Sequence, residues 1–167
     1  MDELLQTFRF EVTLTLSGRG ALPRTLGTGA FAECSGLELE ADIKEHLEGG
    51  RNDGVVRRVG RVKLVPIVLK RGMFVPENSQ YVEKSFWDWL TATVTGTLPI
   101  LRCEGHVRVY DPTQFNDTSP KRTLAHWRFS EGLPSKVTGP ALNAKTGEIA
   151  IEELHIAHQG LTLEPQP

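Results

Sequence analysis

Apolar and polar residues alternate along residues 8–16, and this pattern constrains the fold more than any other feature of the sequence. Phe8, Phe10, Val12, Leu14 and Leu16 fall on one parity, and charged or threonine residues fall on the other. Because successive side chains of a strand point to opposite faces, this segment is predicted to be a half-buried β-strand. Further strand-like segments are residues 37–44, 61–70, 101–110, 124–130 and 147–163.

One segment has a helical period instead. Between Pro76 and Thr93, apolar residues recur at spacings of three and four, which predicts one amphipathic helix capped by Asn78 or Ser79. The strands number six to eight and are separated by loops rich in glycine and proline. This favours a mainly β fold: a small, closed antiparallel β-barrel or a sandwich, with one flanking α-helix and a long hairpin.

Three irregular segments are interpreted from the same pattern. Residues 17–29 are dense in glycine and proline and are predicted to be a loop. The strand at residues 61–70 changes parity between Leu64 and Val65 and contains Pro66, which predicts a bulge or a sheet edge. A second slip of parity at Glu152–Glu153 also predicts a bulge.

Length and charge limit the classes of protein that remain. The 167 residues fit one domain, residues 1–167, and the net charge of −2 argues against a chain that binds polyanions over its whole surface. Cys34 and Cys103 match no zinc-binding spacing and are expected to be buried thiols. Without a signal peptide or an 18-residue apolar run, the chain is expected to be made in a cytoplasm without a membrane anchor.

No sequence motif for catalysis or ligand binding is present. The glycines of residues 48–54 do not form a phosphate-binding loop, and no nucleophile elbow or zinc-protease motif occurs. His155 and His158 are three apart on a predicted strand, so they should face opposite sides and not share a metal. We therefore expect no enzyme activity, cofactor or metal. A small enzyme with an unrecognised site is the alternative that a perturbed pair of titratable groups would reveal.

Opposite charges occupy two neighbouring segments. Residues 36–50 contain five acids and only Lys44, whereas residues 54–72 contain six basic residues and no acid. The two segments either pair as a hairpin within one subunit or meet between copies. A nucleic-acid-binding β-barrel is a further alternative, although the basic segment lacks the aromatic residues on which bases stack.

Five motifs in a fixed order resemble the tail tube protein family of contractile phages, which includes the inner-tube proteins of phage-derived contractile injection systems. The motifs are FAECSGL at residues 31–37, EGGRN at 48–52, LKRG at 69–72, FWDW at 86–89, and the closing segment at 134–161. The resemblance implies a non-catalytic β-barrel subunit that forms hexameric rings. The rings would stack into a hollow tube inside a contractile sheath, and the tube would contact baseplate or tube-initiator proteins and hold cargo in its lumen.

The resemblance also assigns roles to residues of the charged hairpin. Residues expected at contacts between subunits or rings are Glu45, Glu48, Gly49, Gly50, Asn52, Arg57, Arg58 and Arg61. Glu38, Glu40 and Asp42 are expected to line the lumen, where like charge would repel an anionic cargo. Sequence-specific binding of nucleic acid is not expected. The loops at residues 17–29 and 111–123 are longer than a repeating tube subunit needs, which leaves a tube-initiator ring as the alternative within a phage tail or injection particle.

Overall fold

The computed structural model describes residues 4–27, 30–47, 49–50, 54–113 and 121–165. Strands make up about half of these residues, and a single helix lies among them. The elements in chain order are β1 (Phe10–Gly18), β2 (Ala21–Thr25), β3 (Phe31–Ser35), β4 (Leu39–His46), β5 (Val56–Leu64), β6 (Ile67–Gly72), α1 (Ser85–Val94), β7 (Arg102–Tyr110), β8 (Thr123–Thr138), β9 (Ile151–Ala157) and β10 (Gly160–Leu163).

The long strand β8 belongs to two sheets. Its first half pairs with β7 and β10, and the order there is β2-β1-β7-β8-β10. Its second half pairs with β9, and the order continues as β8-β9-β6-β3. Between the halves, Glu131 has a positive φ of 55° and Gly132 follows, which turns the strand from one sheet into the other. Every strand pairing is antiparallel.

These pairings confirm a mainly β antiparallel fold with one helix and a long hairpin, of the sandwich type. A closed barrel is not formed, because β2 and β3 end the order of strands and do not pair with each other among the described residues. Alternation along a strand predicts which of its two faces is apolar. It does not predict whether the two outermost strands of a sheet pair with each other and close a barrel. Ten strands lie among the described residues, against the predicted six to eight, because β2 was predicted to be part of a loop and β5 and β6 were predicted to be one strand.

One apolar core joins both sheets and the helix. Its members include Leu14 and Leu16 of β1, Ile67 and Leu69 of β6, Phe129 of β8, Leu154 and Ile156 of β9, and Phe86 and Trp89 of α1. Phe129 lies over Gly105, its cross-strand partner, so closely that a Cβ on Gly105 would stand 2.0 Å from the ring. A glycine is required there because any side chain would displace the fully buried ring of Phe129.

The helix is present, but it begins later than predicted. Its N-cap position is Lys84, which makes no capping bond, so neither Asn78 nor Ser79 acts as the cap. Ser79 instead bonds the backbone of Tyr81 within a turn. The first helical amide, that of Ser85, donates to Glu83 Oε1 at 2.9 Å. The apolar period correctly indicated that Phe86 and Trp89 face the core.

At two segments that were predicted to be irregular, the structure has more strands than predicted. The segment predicted as a loop at residues 17–29 contains β2, which pairs with β1 through a turn at Arg19–Gly20. The predicted bulge at Val65–Pro66 is a break between β5 and β6, which lie in different sheets. Glycine and proline interrupt the strand pattern in the first segment and Pro66 interrupts it in the second, and the pattern does not distinguish a loop, bulge or sheet edge from a change of strand.

Candidate functional site

The charged hairpin forms a sheet of its own. β4 and β5 pair only with each other, apart from the larger sheet, so the predicted pairing of acidic and basic segments within one subunit is present. An isolated two-stranded hairpin has little stability in water unless something packs on it. The hairpin is therefore the part of the described chain with the greatest need of a partner.

One face of the hairpin is apolar and uncovered. Residues opposite each other across an antiparallel pair lie on the same face. The pairs on this face are Leu39 with Leu64, Ala41 with Val62, and Ile43 with Val59. Leu39, Ile43, Val59 and Val62 are 58%, 51%, 73% and 59% exposed. We call these six residues the apolar hairpin face.

The opposite face is charged and carries both signs. Glu40 lies opposite Lys63, with Oε1 and Nζ 3.5 Å apart, and Lys44 lies opposite Arg58. Asp42 lies at an irregularity where β5 has one extra residue, at Gly60–Arg61. Glu40 and Asp42 thus lie on the parity that the sequence indicated, and exposed Glu38 precedes β4. They share this face with basic residues.

Two of the predicted contact residues already have a partner within the hairpin. Arg57 Nε lies 3.4 Å from Glu45 Oε1, with both side chains more than half exposed. Exposed pairs of this kind contribute about 0–1 kcal/mol, so they leave the residues available to other partners. Arg58 and Arg61 form no ion pair with any described residue. Gly49 and Gly50 lie exposed at the turn, and Glu48 and Asn52 lie outside the described residues.

The base of the hairpin is held by two residues of the sequence motifs. Gly36 has a φ of +85°, and a Cβ at this position would stand 2.1 Å from the Pro66 carbonyl oxygen. The buried side chain of His158 places Nε2 3.0 Å from the Val65 carbonyl oxygen and Nδ1 3.1 Å from that of Gly160. The hairpin therefore leaves the sandwich at a packed point, which fixes its direction.

A buried ion cluster unites three motifs. Arg71 and Glu152 are directly opposite each other on β6 and β9, both fully buried, with Arg71 Nε 2.7 Å from Glu152 Oε1. Arg71 also bonds Glu83. Trp87 Nε1 donates to Glu152 Oε2 at 3.2 Å, and the guanidinium lies 3.7 Å from the centre of the Phe86 ring. The cluster ties the helix to the second sheet.

The predicted bulge at Glu152–Glu153 is wrong, and the buried cluster explains why the sequence suggested one. The register of β9 on β6 continues without a shift, and the buried residues are Glu152, Leu154 and Ile156. The period of two was intact, with a carboxylate at an inward position. Continuing the parity through Ile67, Leu69 and Arg71 on β6 would have identified the buried partner.

Burial and neighbouring groups shift several pKa values. Burial acts to raise the pKa of Glu83, but contacts with Ser85 and the Arg71 guanidinium outweigh it and the net shift is downward. Burial raises the pKa of Cys34 and of Cys103 to about 12, so both thiols stay protonated and unreactive at neutral pH. The Cys103 side chain is buried as predicted, whereas Cys34 is only partly covered.

Sequence reasoning missed one pair of histidines. His106 Nδ1 and His126 Nε2 lie 2.8 Å apart on the outer face of the first sheet, 20 residues apart in sequence. Burial, followed by the charge of Arg108, lowers the pKa of His126. The strand register alone could have identified the pair, since β7 and β8 both alternate. His155 and His158 face opposite sides as predicted, because His158 is buried inside and His155 lies at the surface with Glu153.

The hairpin offers a docking surface and no catalytic arrangement. Acids such as Glu40 and Glu45 lie beside its basic residues and would repel phosphates, and residues 39–64 contain no Phe, Tyr or Trp, which weakens the nucleic-acid alternative. Among the described residues, no helix is long and apolar enough to span a membrane. What the arrangement can do is bind another protein surface through apolar contact, with charges to orient it.

A β-sandwich that displays an exposed amphipathic hairpin has a surface suited to contact with another protein. The chain belongs to the family described as T4-like virus tail tube protein gp19, whose model matches residues 6–162. This confirms the resemblance found in the five motifs. Members of the family are structural tail tube proteins, so the prediction that the chain is not an enzyme is also confirmed. A search of curated proteins finds no match.

Solved structures support the same fold. A chain in the cryo-EM structure of the anti-feeding prophage tube-terminating cap is 19% identical, with a TM-score of 0.71, over 99% of this chain and 94% of that one. A chain in the sheath–tube complex of an extracellular contractile injection system, called PVC, is 20% identical, with a TM-score of 0.70, over 98% and 93%. A chain in the anti-feeding prophage baseplate is 15% identical, with a TM-score of 0.68, over 98% and 97%.

Proposed function

We propose that this chain is a subunit of the inner tube of a contractile injection system or contractile phage tail. Six copies close into a ring, and rings stack into a hollow conduit that delivers cargo. The observation that supports this most is the uncovered apolar hairpin face. The similar chains in structures described as a sheath–tube complex, a baseplate and a cap support the same class of particle.

The apolar hairpin face is expected to pack on another copy of the chain. Full burial of one Val, Leu or Ile side chain contributes about 1.5–3 kcal/mol, so covering four half-exposed ones would stabilise a contact substantially. Arg58 and Arg61, which lack an ion-pair partner in the described part of the chain, and the exposed Glu45–Arg57 pair would then select the orientation. Gly49 and Gly50, with Glu48 and Asn52 beside them in the sequence, would reach the next ring at the tip.

Ring closure and stacking need only one kind of subunit. Two different patches of the same chain make a head-to-tail contact, which closes into a ring when the rotation allows and extends when rings stack. The open edges at β2 and β3 would be satisfied by strands of neighbouring copies. The sixfold number comes from the family resemblance.

Covering the apolar hairpin face would leave the charged face open to solvent. We propose that in the tube this solvent is the lumen, and that Glu38, Glu40 and Asp42 line it. Lys63 and Lys44 lie on the same face and partly offset its negative charge. A lumen that carries both signs would still offer no large apolar surface on which cargo could adhere.

We propose two alternative positions for the ring along the tube. A repeating subunit would form long tubes. An initiator or terminal ring would form single rings, because one of its two ring faces meets a different protein. The baseplate and cap chains resemble this chain about as well as the sheath–tube chain does, which supports keeping both. In either position we propose contact with the sheath or the baseplate.

Electron microscopy of the purified full chain over a concentration series tests the proposal. Val59→Asp with Val62→Asp should abolish rings and tubes and leave a folded monomer, because two charges cannot be buried in an apolar contact. Val75→Asp with Val94→Asp is the matched control, since these valines are 53% and 76% exposed and lie outside the hairpin. Wild-type assembly by the hairpin variant would contradict the role of the face. A wild-type chain that stays monomeric even with sheath and baseplate proteins would contradict its proposed role as a subunit of the tube.

A further inference from the structure

The outer face of the first sheet carries a side-chain cluster that assembly of a tube does not explain. His106 on β7 lies opposite Arg128 on β8, and Arg108 lies opposite His126. The two histidines are therefore diagonal neighbours on one face, each held by a strand inside a continuous sheet. Both are partly exposed, so the site is open to solvent.

The geometry of the two imidazoles suits a shared ligand. His106 Nδ1 and His126 Nε2 are 2.8 Å apart, with ring centres 5.1 Å apart and planes inclined by 32°. Imidazole nitrogens bind transition metals at about 2.0–2.1 Å, so two ligands at a right angle around one ion lie about 2.9 Å apart. Small rotations of the rings would aim both lone pairs at an ion beside them.

A carboxylate fixes the tautomer that metal binding needs. His106 Nε2 lies 3.2 Å from Glu104 Oε1, and Arg128 Nε donates to the same oxygen at 2.9 Å. A carboxylate only accepts, so His106 Nε2 carries the proton and His106 Nδ1 accepts a hydrogen bond from His126 Nε2. Binding of an ion between the two rings would move the His126 proton to its Nδ1, which leaves both facing nitrogens with a lone pair. Histidine ligands usually donate their other ring N–H to a carboxylate in this way, which orients the ring and raises its basicity.

The surrounding charge does not repel a cation. Facing the pair are Glu104 and Arg108 of β7, Arg128 of β8, Glu11 of β1, and Glu164 after β10, whose amide donates to the His126 carbonyl oxygen at 2.8 Å. Lys121 and Arg122 also line the cavity beside His126, and Arg122 lies 3.8 Å from Asp111, so four acids and four basic residues surround the pair without net charge. Among the described residues, no set of three His, Cys, Asp or Glu converges on one point, so water would fill the remaining positions.

We propose that His106 and His126 form a two-histidine site for a divalent transition-metal ion, with Glu104 as its positioning residue. Two imidazole nitrogens with water in the remaining positions suit Cu²⁺ or Ni²⁺, whose sites with nitrogen and oxygen ligands are square-planar or tetragonal. Cu²⁺ should bind most tightly, in keeping with the general order of affinities for first-row ions. Open positions on the ion would accept water or a small external ligand.

Calorimetric titration of the full chain with Cu²⁺ at neutral pH tests the site. We expect one ion per chain, and binding at least tenfold weaker in His106→Gln and in His126→Gln. His155→Gln is the matched control: this histidine is 22% exposed, as His106 is 23% exposed, and it also contacts a carboxylate, but it has no second imidazole beside it. Its variant should bind as the wild type does.

Glu104→Gln separates positioning from ligation. It should weaken Cu²⁺ binding by about tenfold while the ion stays in place, because the neutral amide holds the ring less firmly. Electron paramagnetic resonance of the wild-type complex should show two imidazole nitrogens on the copper, a measurement that needs no variant to fold. A spectrum with one nitrogen, no saturable binding, or equal loss in the His155 variant would overturn the proposal.

Discussion

The Arg71 cluster and the β4–β5 hairpin differ in where their charged and apolar side chains lie. In the cluster, charged groups are buried inside one chain, and each has partners within that chain. In the hairpin, charged groups are exposed and weakly paired, while valine, leucine and isoleucine lie in solvent. The comparison teaches that buried charges of the sandwich have partners within one chain, whereas the apolar face of the hairpin has no cover within it.

We expect the largest effect on stability from a substitution of Arg71 in the buried cluster. Arg71→Met would leave the carboxylate of Glu152 buried without its cation, and loss of one member of a buried pair costs about 3–5 kcal/mol. We expect a loss of this size in the free energy of unfolding measured with urea, or no folded protein. Lys70→Met is the control, because Lys70 makes only surface pairs with Glu33 and Glu153 and should change stability by less than about 1 kcal/mol. Equal effects would contradict the distinction.

The junction between the two regions is tested by Gly36→Ala. An alanine would meet the Pro66 carbonyl oxygen and would hold a positive φ, so we expect a loss of more than about 2 kcal/mol. Gly20→Ala is the matched control, since Gly20 has a φ of +79° and no atom within 4 Å of the added Cβ. The difference between the two in urea unfolding isolates the contact with Pro66. Equal losses would show that the chain can shift at this junction without cost.

Much of the architecture was predictable from local patterns. Alternation identified the strand at residues 8–16 and the parity of Glu40 and Asp42 against Ile43. These patterns depend on neighbouring residues in one strand or one turn. For the same reason the helix was recognised by its apolar face, whereas its first residue was misplaced, because the cap is supplied by Glu83 and not by an ordinary capping residue.

Features that depend on distant residues were missed, because they follow from which strands pair and not from the pattern within one strand. Glu152 looked like a break in the pattern because its partner Arg71 is 81 residues away. The open edges of the sandwich and the meeting of His106 with His126 likewise depend on which strands become neighbours. For the hairpin, the sequence indicated two charged strands that could pair inside or between subunits. The structure shows pairing inside, and the uncovered apolar face gives the better reason to expect pairing between copies.

A charge reversal sharpens the comparison at the hairpin. Arg57→Glu, Arg58→Glu and Arg61→Glu together should weaken assembly while the melting temperature changes little, because exposed charges contribute little to the fold and like charges at a contact repel. Sedimentation over a concentration series measures assembly. Lys84→Glu, Lys136→Glu and Lys145→Glu change the net charge equally at exposed positions outside the hairpin and the sheet edges, and they serve as the control. Unchanged assembly in the hairpin variant would show that the basic strand is only solvated.

The smallest expected effect concerns the pH dependence of the buried cluster. The pKa of Glu83 is lowered in the folded chain, because the contacts with Ser85 and Arg71 outweigh the effect of burial. The folded state therefore binds fewer protons than the unfolded state near the ordinary glutamate pKa of about 4.3. The stabilising contribution of Glu83 is present above that pH and is lost as the pH falls through the folded value. Urea midpoints measured from neutral pH downward should fall less steeply in Glu83→Gln than in the wild type. Glu77→Gln, which alters a nearby glutamate outside the cluster, should leave the slope unchanged, and an equal slope in both variants would show that Arg71 relies on Glu152 alone.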